Sequence, residues 1–253
     1  MDYALITKPG TRENNEDSMV ALENDVCSLF VVADGLGGHS GGEVASAIAT
    51  DTFRECFDNG IDDAGAFFPE TFMAAQLSIL EEQKTRNTPY DLKTTCVALL
   101  ITDDTCRIAH IGDSRAYVFQ KNRVRLRTLD HSVPQMLVTS GSIKEKHIRN
   151  HPDRNRLLRV LGTDWDSPCF DASDDINISE CRAFLLCTDG FWELCDEKKM
   201  CTFLKKSGNA AQWLGLMTDE VEKNGQGRDM DNFTAIAIFA EAGTIHHGGD
   251  PNG

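Results

Sequence analysis

Phe30-Val31-Val32-Ala33-Asp34-Gly35-Leu36-Gly37-Gly38-His39 is an apolar run that ends in a carboxylate followed by a set of glycines. An apolar run of this length between turn signals reads as a buried strand, here over 27–33. Asp34 then stands where the strand emerges into a glycine-rich loop. A carboxylate in that position is costly unless something pairs with it. The glycines let backbone approach closely or take positive φ. A strand-end acid beside open backbone suits a hard metal ion or a phosphate.

Upstream, 2–7 reads as a first strand and Lys8-Pro9-Gly10 as a turn. The polar run Thr11-Arg12-Glu13-Asn14-Asn15-Glu16-Asp17-Ser18 leads into a strand at Met19–Leu22. Glu23-Asn24-Asp25 makes the turn of a hairpin with 27–33. Glu16 and Asp17 enter one strand of that hairpin and Asp34 leaves the other, so antiparallel pairing brings them together.

Downstream, Ser40 and Glu43 form a capping box. The helix after it has apolar residues at 45, 48, 49, 53, 56 and 57, a 3.6-residue stripe. A second helix spans about 65–86, with Phe68, Phe72, Ala75 and Ile79 on one face, and stops at Asn87-Thr88-Pro89. Strand patterns follow at Thr94–Ile101, Cys106–Ile111, Ala116–Phe119 and Val124–Leu129. The second ends in Gly112-Asp113. The polar segment 132–160 reads as short helices and a mobile flap. Ala183–Cys187 with Thr188-Asp189-Gly190 repeats the opening pattern. Helices at 196–206 and 209–224 precede Asp229-Met230-Asp231-Asn232 and a last strand, Phe233–Ala240. One domain over 1–242 is expected, with 243–253 a disordered tail. Helices grouped between blocks of antiparallel strands give an α+β class.

The bulk numbers exclude several functions. A net charge of −15 and a pI near 4.8 disfavour nucleic acid or an anionic membrane as partner. No basic leader and no apolar run of about 20 residues is present, so neither a signal peptide nor membrane insertion is expected. The nine cysteines include no C-x-x-C pair, and the series at 181, 187, 195 and 201 lacks metal-finger spacing. They read as small buried hydrophobes of a reduced, soluble, cytoplasmic protein.

The acids at strand ends carry the chemistry: Asp17, Asp34, Asp113, Asp189 and Asp231. Two unit charges about 4 Å apart repel by roughly 4 kcal/mol at an effective dielectric near 20, so converging acids require cations or protons. Oxygen-only ligands point to Mg²⁺ or Mn²⁺ over Zn²⁺. Two such ions about 3.5–4 Å apart would hold a bridging water as hydroxide for in-line attack on phosphorus. Arg12 is placed to fork onto a phosphate.

Taken in order, Arg12…Asn15-Glu16-Asp17, Ala33-Asp34-Gly35 through His39, Gly112-Asp113-Ser114-Arg115, Asp130-His131-Ser132, Cys187-Thr188-Asp189-Gly190 and Asp231-Asn232-Phe233-Thr234 resemble the protein phosphatase 2C family, in its bacterial form. The resemblance runs over about 2–240. It implies a four-layer α-β-β-α sandwich and a metal-dependent serine/threonine phosphatase. By motif position it implies that Asp34 bridges two metals, with the Gly35 carbonyl on the first and Glu16 acting through a water. It puts Asp189 and Asp231 on the second metal, and Asp113 with Asp189 at a third, weaker site. Asp17 would orient water and Arg12 would hold the substrate phosphate.

Relatives in the eukaryotic branch carry a histidine after the Asp-Gly where this chain has Leu36. The leaving-group proton then falls to a metal-bound water or to His39. Asp229, on the same strand face as Asp231, is a rival ligand; adjacency to Asn232-Phe233-Thr234 favours Asp231. Ser114 and Arg115 are read as braces for Asp113, Asp130 as ordering a turn, and His131 as a structural hydrogen-bonder. Arg149, Arg154, Arg156 and Arg159 either steer phosphoproteins or form a solvated patch. Trp165, Trp192 and Trp213 read as packing residues, and His246-His247 as a weak metal binder at most. The expected partners are phosphorylated proteins and a cognate serine/threonine kinase, with the enzyme a monomer. A small phosphomonoester substrate and a non-catalytic pseudophosphatase are the alternatives, although no core acid is missing.

Overall fold

The computed structural model describes residues 1–37, 41–88 and 90–240. In chain order the elements are β1 (Asp2–Lys8), β2 (Asp17–Glu23), β3 (Ser28–Leu36), α1 (Gly41–Asp58), α2 (Ala64–Arg86), β4 (Lys93–Thr94) and β5 (Cys96–Ile101). They continue with β6 (Thr105–Ile111), β7 (Arg115–Gln120), β8 (Arg123–Arg127), α3 (Val133–Thr139), β9 (Asp171–Ala172) and β10 (Ile176–Asn177). The last are β11 (Ala183–Cys187), α4 (Asp189–Trp192), α5 (Glu197–Lys206), α6 (Ala210–Gly225) and β12 (Phe233–Phe239).

Two antiparallel sheets result. One runs β1-β12-β11-β7-β8; the other runs β10-β6-β5-β3-β2, with β4 on β3 and β9 on β6. In β3, Phe30 and Val32 join the core between the sheets, against Val118, Phe184, Leu186, Ile236 and Ile238 of the first. Leu29, Val31 and Ala33 face the other way, onto α1 and α2 through Ala45, Ala49, Phe53, Phe68 and Phe72. Strand residues alternate faces, and both faces of β3 are covered, which is why its sequence is apolar without alternation. The outer face of the first sheet packs on α5 and α6 through Met200, Leu204, Trp213 and Met217. The layers are therefore α-β-β-α, as the resemblance implied.

Helix ends follow local chemistry. Asp63 accepts from the Gly65 N–H at the start of α2, and Asn87 takes φ 54° at its end, so it closes the helix as an αL residue. Asp196 and Asn209 cap α5 and α6. Three sequence expectations shift. The strand 27–33 runs on to Leu36, because Gly35 and Leu36 pair with Thr94 and Lys93. The single strand at Thr94–Ile101 divides at Thr95 into β4 and β5. Helix α1 begins at Gly41; the Ser40 half of its capping box, Pro89, His39 and the tail lie outside the described residues. The pieces β9 and β10 are too short to show a period.

Flap positions 133–139 and 145–150 are short helices, the second a 3-10 turn. Among the described residues no helix is long and apolar enough to cross a membrane.

Phe72 is fully buried, edge-on to Phe53 at 5.2 Å and stacked on Phe170 at 4.7 Å. Phe72→Ala should cost about 3–5 kcal/mol, read as a lower urea midpoint with unchanged m-value.

Candidate active site

The acids gather where the β2–β3 hairpin, the β6–β7 turn, the end of β11 and the start of β12 meet. A cleft of about 460 Å³ there is lined by Arg12, Glu16, Asp34, Gly35, Leu36, Asp113, Asp189 and Asp231, with Asn155 and Leu157 from the segment after α3.

Register does the first part of the positioning: Asp17 lies directly across from Asp34 in the β2–β3 ladder. The Asp34 N–H donates to Thr95 Oγ1 at 3.0 Å, and its carbonyl accepts from the Thr95 N–H at 2.9 Å and Thr94 Oγ1 at 2.8 Å. Its backbone is thus fixed on three sides. Gly35 and Gly42 bring the end of β3 against the start of α1. A Cβ on Gly35 would sit 2.2 Å from the Gly42 carbonyl oxygen, and one on Gly42 would sit 2.5 Å from Glu16 Oε2. No side chain fits in that contact.

Asp113 follows Gly112, which its φ of 95° and the 2.5 Å at which an added Cβ would meet Thr95 Cγ2 both require to be glycine. The Asp113 carbonyl accepts from the Trp192 indole N–H at 3.0 Å. Asp189 opens α4. The preceding Thr188 hydroxyl donates to Asp17 Oδ2 and accepts from the Thr234 N–H, both at 3.0 Å, which ties β11 and β12 to the hairpin. Asn232 spans the entrance: it accepts from the Glu16 N–H at 2.8 Å and donates to the Pro9 and Asn14 carbonyls at 2.9 Å.

Electrostatics separate the floor from the rim. Asp34 shows only a partly open face to the cleft, and burial, then Asp17, Asp189, Asp113 and Asp231, push its carboxyl well above the usual range. Asp189 moves the same way through burial, Asp113, Glu193 and Asp231. Burial dominates the rise of Asp17 and of Asp113, each to about 7; Asp130 adds to the second, and hydroxyls of Thr234 and Thr188 temper the first. Glu16 is raised more mildly, by burial and then by Asp231 and Glu43, with Arg12 opposing. At the rim Arg12 forms an ion pair with Asp231 at 3.2 Å, with half of each side chain exposed.

The proposed site residues divide accordingly. Asp34, Gly35, Glu16, Asp113, Asp189, Asp231 and Arg12 line one cleft. Asp17 lies behind that wall; its Oδ1 is buried and has no hydrogen-bond partner. Asp229 accepts the Thr11 hydroxyl at 2.8 Å, a contact that occupies the rival of Asp231. Arg115 forms a bidentate pair with Asp130 at 2.8 and 2.6 Å and sits 3.4 Å over the Trp192 ring. It therefore supports Asp113 through Trp192 and not by contact. All three tryptophans pack against the cores and donate their indole N–H to a backbone carbonyl; only that of Trp192 holds a site residue, Asp113. His131 Nδ1 accepts from the Gly112 N–H at 3.2 Å. The flap arginines Arg149, Arg154 and Arg159 pair with Glu197, Glu193 and Asp171, and Arg156, the most exposed of the four, pairs with Asp153. The sequence reading missed Thr95, Asn155 and Leu157, since a threonine inside a strand run and a polar loop carry no local signal.

A divalent cation fits this donor set. The groups are oxygens only, several carboxyls are held above their normal range by burial and then by one another, and Asp17 retains an unpartnered buried oxygen. Hard oxygen ligands of this kind suit Mg²⁺ or Mn²⁺.

Known proteins are similar in sequence and fold. The protein phosphatase 2C family model matches residues 10–224. The serine/threonine phosphatase stp of Listeria welshimeri is 29% identical over 239 residues, covering 90% of each chain. The structure superposes on a bacterial serine phosphatase with a TM-score of 0.85 and 28% identity, over 97% of this chain and 100% of the other. The serine/threonine phosphatase Stp1 of Staphylococcus aureus gives a TM-score of 0.85 and 27% identity, over 95% and 96%.

The raised acids fix a sign. Asp17 and Asp113 titrate near 7 folded against 3.8 for a free aspartate. Between those values the metal-free folded protein binds more protons than the unfolded chain, so these groups lower its stability as pH rises through that window. Asp34→Asn removes a carboxyl whose ionised form the metal-free fold disfavours. In chelator at pH 7 its Tm should exceed that of the wild type by a few degrees, equivalent to about 1–2 kcal/mol for a chain of this size. The gap should narrow by pH 5. With Mn²⁺ the order should reverse, because only the wild type keeps Asp34 as an ionised ligand. Scanning fluorimetry at both pH values checks it.

Proposed function

The chain belongs to the protein phosphatase 2C family, and we propose that it hydrolyses phosphoserine and phosphothreonine in proteins with two Mg²⁺ or Mn²⁺ ions as cofactors. The observation that carries this is the convergence of Asp34, Asp113, Asp189, Asp231 and Glu16 on one cleft with Arg12 at its rim.

Asp34 would bridge the two ions. The Gly35 carbonyl and, through water, Glu16 complete the first site; Asp189 and Asp231 complete the second; Asp113 and Asp189 supply a third, weaker one. When bound, the pair would supply Lewis-acid charge and would lower the pKa of a water held between them, so that it could serve as a hydroxide nucleophile at neutral pH. The chain's own residues do the rest. Arg12 donates to the substrate phosphate oxygens and offsets charge developing on phosphorus. Asp17, held by Thr188, sits behind Asp34 to orient water. Leu36 contributes an apolar wall and no proton. The histidine candidate for the leaving-group acid is His39.

A single catalytic unit over 1–242, acting as a monomer in the cytoplasm and reversing a serine/threonine kinase, completes the proposal. Support for a protein substrate comes from the relatives' activity and from the open cleft bordered by Asn155 and Leu157. A pseudophosphatase would be expected to have lost one of these acids or Arg12, and all are in place.

Phosphate release is to be measured on phosphoserine, phosphothreonine and phosphotyrosine peptides and on a small aryl phosphate, each with Mn²⁺ and with chelator. Turnover of the first two peptides, abolished by chelator, is expected. No release with excess Mn²⁺ would reject catalysis, and preference for the small ester would reject the protein substrate. Asp34→Asn and Asp189→Asn should each lose on the order of 10²-fold or more in kcat. Arg12→Ala should raise KM and lower kcat, with a combined loss of about 10-fold or more in kcat/KM, the size of a charged hydrogen bond.

A further inference from the structure

Gly112 is the turn that carries Asp113. It lies one residue past the last β5–β6 pair, Cys96 with Ile111, so the ladder does not hold it. One residue holds both of its backbone polar groups instead. The His131 N–H donates to the Gly112 carbonyl at 2.8 Å, and His131 Nδ1 accepts from the Gly112 N–H at 3.2 Å. The same segment grips a second part of the cleft. The His131 carbonyl accepts from the Leu158 N–H at 2.7 Å, Ser132 pairs antiparallel with Leu157, and the Val133 N–H donates to the Arg156 carbonyl at 2.9 Å. Asp113, Asn155 and Leu157 all line the cleft, so residues 131–133 join two parts of its wall.

The imidazole is fixed from behind. It stacks on His110, with ring centroids 4.7 Å apart and planes 19° from parallel, and His110 Nε2 lies 2.8 Å from the Leu129 carbonyl oxygen. Accepting from Gly112 requires a lone pair on His131 Nδ1, so the ring proton lies on Nε2. That nitrogen is enclosed, and the Asp171 carboxylate stands 3.2 Å from it. Asp171 opens β9, which pairs with β6 at His110, and its other oxygen meets Arg159 at 3.2 Å. Burial, helped by Arg159 and opposed by Asp171, pulls the pKa of His131 down, which keeps the ring neutral at pH 7. With its proton on Nε2 the ring offers no lone pair toward Asp171. The close group His110, His131 and Asp171 therefore orients a ring and is not a second cation site.

We propose that His131 is a positioning residue of the active site and Asp171 its orienting partner: together they fix the Gly112–Asp113 turn against the Asn155–Leu157 wall, and so set where the Asp113 carboxylate meets a divalent cation. This rests on the reading of Asp113 as a ligand of the third, weaker ion.

His131 acts at one remove, through the Gly112 peptide groups. Gly112 is buried, so loss of the Nδ1 acceptor leaves its N–H without a partner. With φ at 95° and no side chain, the turn then has little else to hold its direction. Asp171 differs from His131 in being half exposed, so its removal loosens the ring without opening the core.

Mn²⁺ binding to the full chain is measured by calorimetry, with turnover of a phosphothreonine peptide alongside. In His131→Leu the weakest Mn²⁺ step should lose about 10-fold in affinity, the scale for groups that orient metal ligands, while the two tighter steps change little. His131→Asn keeps an acceptor oxygen close to the place of Nδ1 and should recover most of that loss. Asp171→Ala should weaken the same step. The half-saturating Mn²⁺ concentration for turnover should rise in parallel. In metal-free wild type, ¹⁵N NMR of the ring should place the His131 proton on Nε2.

A merely structural His131 would lower the Tm of the leucine variant and leave every Mn²⁺ step as in wild type, which overturns the proposal. So does a ring protonated on Nδ1, or a folded His131→Asn that binds Mn²⁺ as poorly as His131→Leu. If His131→Leu does not fold, Asp171→Ala and the ring tautomer decide. Wild type that binds Mn²⁺ in three steps without turning over phosphopeptide defeats the functional reading alone, and the Mn²⁺ steps of the variants still decide the role of His131. Wild type that binds no Mn²⁺ overturns both.

Discussion

The rest of the structure is arranged around mutual repulsion among carboxylates. Asp34, Asp17, Asp113 and Asp189 share a poorly solvated floor: burial raises each of them, and the charges of Asp17, Asp113 and Asp189 add to the rise of Asp34. Such a cluster would spring apart in a flexible chain. Here much of the anchoring bypasses the carboxylates. Asp34 is held through its N–H and carbonyl by Thr94 and Thr95, Asp113 through its carbonyl by Trp192, and Asp189 by its place in the first turn of α4. Carboxylate oxygens are thereby left for a cation. The cores on either side of each sheet supply the stability that the site consumes, a division of labour common at active sites.

Arg115 shows how a positive charge can sit near this cluster without neutralising it. The guanidinium is fully enclosed, with both of its forks on Asp130 and its face on Trp192. Removing either partner from a buried pair leaves an uncompensated charge. The charge of Arg115 opposes the rise that burial and Asp130 impose on the Asp113 carboxyl, and it also acts mechanically: Arg115 packs on Trp192, whose indole N–H holds the Asp113 carbonyl. An arginine in direct contact with Asp113 would instead have competed with a metal for the same oxygens.

The sequence exposed the parts of this design that are local. The apolar run before Asp34, its repeats before Asp113 and Asp189, and the helical stripe at Ala45, Ala49, Phe53 and Phe57 are periodic within one element, and all of them appear where their patterns put them. The Asp17–Asp34 pairing was legible because hairpin register follows from a short turn. The pairing of β1 with β12 was not, because it joins the two ends of the chain. Thr188 and Asn232 lie within motifs, yet their work is done on residues more than a hundred positions away, which no local pattern encodes. Asp229 and Asp231 looked equivalent by strand alternation, but both precede β12; Asp231 lines the cleft beside Arg12, while Asp229 takes the Thr11 hydroxyl. Trp192 read as filler because an indole N–H shows its value only once a carbonyl stands in front of it.

The rim obeys different physics from the floor. Arg12 and Asp231 are each about half exposed, and a solvent-exposed ion pair contributes only about 0–1 kcal/mol. Breaking it is therefore cheap, unlike any rearrangement of Arg115. A divalent cation attracted by the floor acids adds charge beside Asp231 and weakens the hold of that carboxylate on Arg12. The guanidinium then has donors to spare at the mouth of the cleft, where a phosphate would arrive. On this argument the ion pair stores Arg12 near its point of use: strong enough to keep a long side chain from wandering, weak enough to be exchanged for a doubly charged ligand.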